Sequence, residues 1–168
     1  SNAGPVNLNA VAGNITQSGD LDGVATLSAT AGGSVTLDGA NEIGTLGVVT
    51  TGTGFALEDS TGGLLIDGDL TTASGNIQVH TEGGALTLAD ARSIEVTGTG
   101  DVYLAAGVGF DFDNQSTAVA APISIGDGRY LIYSNDHTTD LGNLAASPYM
   151  GRTWAANAPG TIGGSDDR

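Results

Sequence analysis

Three pairs of acids have residue types and spacings that can do chemistry: Asp67 with Asp69, Asp111 with Asp113, and Asp90 with Asp101. Glycoside hydrolysis uses two carboxyl groups held about 5–10 Å apart across a groove. Two acids at i and i+2 on a strand share one face and could supply that separation. Asp67-Gly68-Asp69, however, has the composition of a turn, where an aspartate bonds the turning backbone. A lyase would also need a cation against the developing enolate charge, and the repeat region offers only Arg92. These acids are therefore expected to be turn and solubilising residues, and no catalytic residue is assigned.

The other chemistries are weaker still. The chain has no cysteine and no Gly-x-Ser-x-Gly elbow, so neither a thiolate nor that serine nucleophile is available. The histidines are His80, at an outward parity beside Ile77 and Val79, and His137, in the polar stretch Asn135-Asp136-His137-Thr138. A lone surface histidine without convergent partners is ordinarily solvated. Calcium takes several oxygen ligands, and Asp111, Asp113 and Asn114 are the candidates for it, with Asp136 and Asp140 a second cluster. Neither cluster has the spacing of an EF-hand or of the Gly-Gly-x-Gly-x-Asp nonapeptide, so no metal and no cofactor is assigned. Tyr149 and Trp154 are the candidates for stacking on a glycan; their plainer role is packing over the end of a core.

Composition narrows the partners. The 168 residues include 28 glycines, and the only cations are Arg92, Arg129, Arg152 and Arg168; with 19 acids the formal charge is −15. Counterion release at phosphates needs clustered Lys and Arg, so nucleic acid and anionic membrane are excluded as expected partners. No apolar run approaches the ~20 residues of a membrane helix, and no membrane insertion is expected. Ser1-Asn2-Ala3 has the look of an expression-tag remnant and is set aside.

The elements that would position any site are short strands. Apolar residues come in i, i+2 pairs: Val35/Leu37, Leu46/Val48, Phe55/Leu57, Leu64/Ile66, Ile77/Val79, Leu86/Leu88, Ile94/Val96 and Val102/Leu104. Turn formers separate them, among them Gly32-Gly33, Asp38-Gly39, Asp67-Gly68 and Gly83-Gly84. A longer period runs beneath. Ile15, Val35 and Phe55 recur at twenty residues, as do Leu37, Leu57 and Ile77 (with Val96 nineteen later), and Leu46, Ile66 and Leu86. The polar column Asp38, Glu58 and Gln78 keeps the same spacing. Such registered columns predict an all-β parallel β-helix of about 20-residue coils. An antiparallel sandwich shares the short strands but not the register.

Residues 4–112 are assigned to the β-helix repeats and 113–168 to an aromatic-rich C-terminal capping or extension segment. That segment carries Tyr130, Tyr133, Tyr149 and Trp154, and begins with two expected strands around Ile123-Ser124-Ile125 and Tyr130-Leu131-Ile132-Tyr133, joined by a tight turn at Asp127-Gly128.

The stretch Gly128-Arg129-Tyr130-Leu131-Ile132-Tyr133-Ser134, with Asp140-Leu141-Gly142-Asn143-Leu144, Tyr149, Thr153, Ala155-Ala156-Asn157 and Pro159, resembles a module of large bacterial exoproteins similar to filamentous haemagglutinin. The units Gly33-Ser34-Val35-Thr36-Leu37 and Gly84-Ala85-Leu86-Thr87-Leu88 resemble that family's repeats. The resemblance implies a right-handed parallel β-helix from a secreted protein of the Gram-negative surface. It further implies a non-catalytic stalk or adhesion module, with an outer-membrane secretion partner for a longer parent. The partner of the module itself would be a host-cell or bacterial-surface glycan or protein. The competing expectations are a carbohydrate-active β-helix enzyme and a glycan-binding tip.

Overall fold

A computed structural model describes residues 4–117, 121–136 and 150–153. No helix occurs among them; the chain winds as a parallel β-solenoid. The first coils are simple. β1 (Val6–Ala10) leads into β2 (Ile15–Thr16) and β3 (Val24–Ala31), and β4 (Val35–Asn41) is followed by β5 (Ile43–Thr51). β4 lies on β2 and β5 on β3, both in parallel register.

From the next coil onward the cross-section has three sides. β6 (Phe55–Asp59) stacks on β4. The nine-residue β5 then carries two shorter strands side by side: β7 (Leu64–Ile66) on its first half and β8 (Leu70–Thr72) on its second. The split falls at Asp67-Gly68-Asp69, one residue longer than the Gly47-Val48 bend beneath it. A Cβ on Gly68 would lie 2.1 Å from the Gly47 carbonyl carbon, so only glycine lets this corner rest on that bend.

Two further coils repeat the three-sided plan. They comprise β9 (Ile77–Thr81), β10 (Leu86–Leu88) and β11 (Ile94–Thr99), then β12 (Val102–Ala105), β13 (Phe112–Asn114) and β14 (Ile123–Asp127). β15 (Tyr130–Ser134) stacks on β12, and β16 (Met150–Thr153) on β15. One face of the solenoid is therefore β2, β4, β6, β9, β12, β15 and β16 in a single sheet; it is called the first face below.

The strand parity expected from sequence holds. Every residue of the eight i, i+2 pairs is buried except Val48, which sits at the bend between Leu46 and Val49 and is 56% exposed. The core is a stack of aliphatic ladders such as Ile15, Val35, Phe55, Ile77, Val102 and Tyr130, with each residue opposite the next.

The fixed twenty-residue register does not hold along the whole chain. Val35 to Phe55 is twenty residues, but the partner of Phe55 is Ile77, that of Ile77 is Val102, and that of Val102 is Tyr130. Leu57 therefore stacks on Val79, not Ile77, and Ile66 on Leu88, not Leu86. Val96 belongs to another face altogether, opposite Thr72. Corners absorb added residues without disturbing the strands they join. The first two additions are one residue at Asp67–Asp69 and one in the turn before Ile77.

Residues 113–117 and 121–136 continue these sheets. β14 pairs with β11 and β15 with β12, so the two strands flanking Asp127-Gly128 do not pair with each other. The segment extends the solenoid at that point. Tyr130 points into the core at 2% exposure and Phe112 is fully buried there. Burial holds the Tyr130 phenol above its ordinary pKa. Tyr149 and Trp154, the glycan candidates, lie outside the residues whose side chains are described, as do His137 and Asp140.

Candidate functional site

Most acids singled out from sequence tie one coil to the next. Asp69 accepts the backbone N–H of Ser93, Asp90 that of Thr117, Asp101 that of Arg129, and Asp111 that of Asp136, all at 2.8–3.0 Å. Asn14, Asp20 and Asn76 do the same for Ser34, Ala40 and Asp101. Asp69 is expected from sequence to bond its own turn; instead it and the other aspartates cap the corner one coil further on. A corner leaves the sheet ladder, so its N–H needs another acceptor. Each cap is worth about 1 kcal/mol.

The paired carboxylates consequently have structural partners. Asp67 lies 3.2 Å from the Arg92 guanidinium in an exposed ion pair, while Asp69 is bonded to Ser93. Asp101 also accepts the Tyr103 hydroxyl at 2.9 Å and lies 3.7 Å from the Arg129 guanidinium. Burial first, and then this acceptor bond, hold the Tyr103 phenol above its ordinary pKa. The calcium candidates do not gather. On β13 the alternation of exposure turns Asp113 outward, where it accepts from Gln115, and Asn114 the other way. Among the described residues no group of three His, Asp or Glu is placed to hold a metal ion.

The convergent polar groups are on the outside of the first face. Glu58 and His80 occupy paired outward positions on β6 and β9. The His80 Nδ1–H donates to a Glu58 carboxylate oxygen across 2.9 Å, and His80 is only 7% exposed. Beside this pair run Thr36, Ala56 and Gln78, opposite one another on successive strands. Ala56 offers one methyl between two longer side chains, leaving a depression of about 180 Å³ bordered by Asp38, Glu58, Gln78 and His80. It runs on one way to Ser34, Thr53 and Asn76, and the other way to Ser60 and Glu82. The depressions adjoin through shared lining residues, Thr36, Ala56 and Gln78 on one side and Asp38 and Glu58 on the other, and follow one another along the strand direction; together they are called the furrow below.

Beyond His80 the same outer face turns apolar. Tyr103, Ala105, Leu131 and Tyr133 point outward from β12 and β15, yet form a buried cluster of their own. Aromatic side chains here serve inside the solenoid (Tyr130, Phe112) and outside it (Tyr103, Tyr133).

Directly behind Glu58 lies an interior polar ladder. Asn41, Asp59 and Thr81 stack at the end of the first face, each with 0% exposure. The Asn41 amide donates to the Leu37 and Glu58 carbonyls. Asp59 accepts the Ile43 N–H at 2.8 Å and the Thr81 hydroxyl at 3.2 Å. Desolvation by burial pushes its pKa up to about 6, partly opposed by those two bonds.

Sequence reasoning missed the Glu58–His80 pair by two residues. At a spacing of twenty Glu58 lines up with Gln78; the two residues added at corners bring His80 there instead. No family model, curated protein or solved structure matches the chain.

Proposed function

We propose that this chain is a non-catalytic β-helical segment of a secreted, surface-associated bacterial adhesin of the filamentous haemagglutinin kind, serving as a stalk or adhesion module. The observation that carries the reading is the use of polar side chains for stacking: at corner after corner an Asp or Asn caps the next coil. A chain so built gains stability with each added coil, as a spacer at a cell surface requires. Its resemblance in Gly128–Ser134 to the exoprotein module supplies the location and the class of partner, a surface glycan or protein.

One observation favours a second reading, a carbohydrate-active β-helix. Glu58 and His80 are joined in a depression large enough for a sugar ring, and such a pair can move a proton. The deciding experiment incubates the purified chain with a panel of plant, animal and bacterial polysaccharides and follows new reducing ends and unsaturated products. The adhesin reading expects no turnover above buffer. Sustained cleavage that Glu58→Gln abolishes would replace it with the enzyme reading.

A further inference from the structure

We infer that the furrow over Ala56 is a binding site for a short neutral glycan, with one sugar ring seated between Thr36, Gln78 and the Glu58–His80 pair. The inference rests on the interaction-module reading and names its ligand class.

The shape comes from the register. Thr36, Ala56 and Gln78 are consecutive partners across three strands, so the small residue makes a notch one strand wide with a longer side chain on either side. The furrow spans positions 34 to 40 of β4 and its flank. At ~3.3 Å per residue that is roughly 20 Å, room for at least three sugar units.

The chemistry comes from the lining. Sugar hydroxyls come in adjacent pairs and need acceptors and donors set side by side. Here carboxylates (Asp38, Glu58) stand next to an amide (Gln78) and a hydroxyl (Thr36). Glu58 is already held by His80, so little side-chain entropy is lost when a ligand binds. Most of the other acids weighed for chemistry cap backbone N–H groups across coils, whereas Glu58 bonds a side chain on an outer strand face.

The charge selects the sugar. Asp38, Glu58 and Glu82 border the furrow and no Lys or Arg lines its three depressions. A uronic, sialic or sulfated sugar would meet like charge, so the expected ligand is uncharged.

The test is a titration of the 15N-labelled full chain, read by amide chemical shifts. Four probes are used: neutral trisaccharides of glucose, mannose and xylose, and a trigalacturonate. At least one neutral sugar should give saturable shifts at Thr36, Ala56, Gln78 and His80, and the galacturonate none. Ala56→Leu fills the notch from the solvent side; it should weaken binding at least tenfold while leaving the melting temperature and the remaining amides in place. Glu58→Gln should weaken it several-fold.

Absence of shifts from all three neutral sugars overturns the inference, as do equal binding of galacturonate, shifts that map elsewhere, or undiminished binding by Ala56→Leu. A lysine-rich peptide that shifts the same amides when the sugars do not would also overturn it, making the furrow a cationic-peptide site. Any of these leaves the stalk reading standing. Shortening of a bound sugar during the titration would instead defeat the non-catalytic reading.

Discussion

Asp59 places a carboxylate inside the solenoid, and removing its charge should stabilise the protein. Its pKa is displaced from 3.8 to about 6, chiefly by burial. A displacement of that size corresponds to about 3 kcal/mol between the protonation states. The sign follows from proton binding. Below pH 4 the folded and unfolded chains both hold the proton and burial is uncharged. Between pH 4 and 6 the unfolded chain loses it while the folded chain keeps it, so stability falls as pH rises. Above pH 6 the whole penalty is present.

Asp59→Asn keeps the geometry. Its amide oxygen can accept from Ile43, and its amide nitrogen can donate to the Thr81 hydroxyl, which itself donates to Gly62. The coil before already uses Asn41 at the paired position. At pH 7.5 the variant should be more stable by about 1–3 kcal/mol, the lower end allowing for the weaker neutral hydrogen bonds. That is a rise in melting temperature of roughly 2–4 °C per kcal/mol for a chain this long. At pH 4 the two proteins should melt together. Paired thermal melts by circular dichroism at pH 4, 5, 6 and 7.5 read the difference directly. A variant less stable at pH 7.5, or a gain undiminished at pH 4, would refute the assignment of a desolvated charge to Asp59.

Three further outcomes test the packing. Gly68→Ala would put a methyl against the Gly47 carbonyl carbon and the Val48 nitrogen, and should cost about 3 kcal/mol in a denaturant titration; Gly13→Ala, with nothing within 4 Å, should change stability by under about 0.5 kcal/mol. The buried Thr51 hydroxyl has no hydrogen-bond partner among the described residues, so Thr51→Val should gain about 1 kcal/mol in the same titration, and a loss would mean the hydroxyl is satisfied. Asp101→Ala removes the Arg129 cap and the Tyr103 acceptor and should cost about 2 kcal/mol. It should also lower the Tyr103 pKa, read as earlier tyrosinate absorbance in an alkaline titration.

What was legible in the sequence was the strand, because its period is fixed by the backbone. Side chains two apart share a face whatever the neighbouring coils do, and the paired residues went inside accordingly, Val48 at its bend excepted. The column Ile15, Val35, Phe55 was legible too, since the coil length there stays at twenty: the path from β4 to β5 is one residue shorter than that from β2 to β3, and the Gly47-Val48 bend is one residue longer than Ser28 beneath it. Beyond Phe55 the corners lengthen, and no local signal says by how much. A glycine or aspartate announces a corner but not whether it holds two residues or three. Leu37, Leu57 and Ile77 keep a perfect interval in sequence, but in space Leu37 and Leu57 are partners and Ile77 falls out of line.

The same uncounted residues hid the candidate site. Asp38, Glu58 and Gln78 make a uniform polar column at twenty, and on that register His80 stands alone on the surface. With two residues more, His80 moves beside Glu58, and Gln78 moves across from Ala56, opening the notch. The caps were hidden for a related reason: an aspartate's partner is not in its own turn but 24 to 28 residues away from Asp69, Asp90, Asp101 and Asp111. In this architecture the inward positions supply most of the stacking and the corners set register, while the first face adds outward contacts of its own in the Tyr103, Ala105, Leu131 and Tyr133 cluster and the Glu58–His80 pair. His80 faces outward yet is only 7% exposed, bonded to Glu58 on the coil before it and opposite Ala105 of the outer apolar cluster on the coil after it. The Glu58–His80 pair also borders an open depression, so the furrow, rather than the more numerous aspartates of the corners, is where a ligand should be sought.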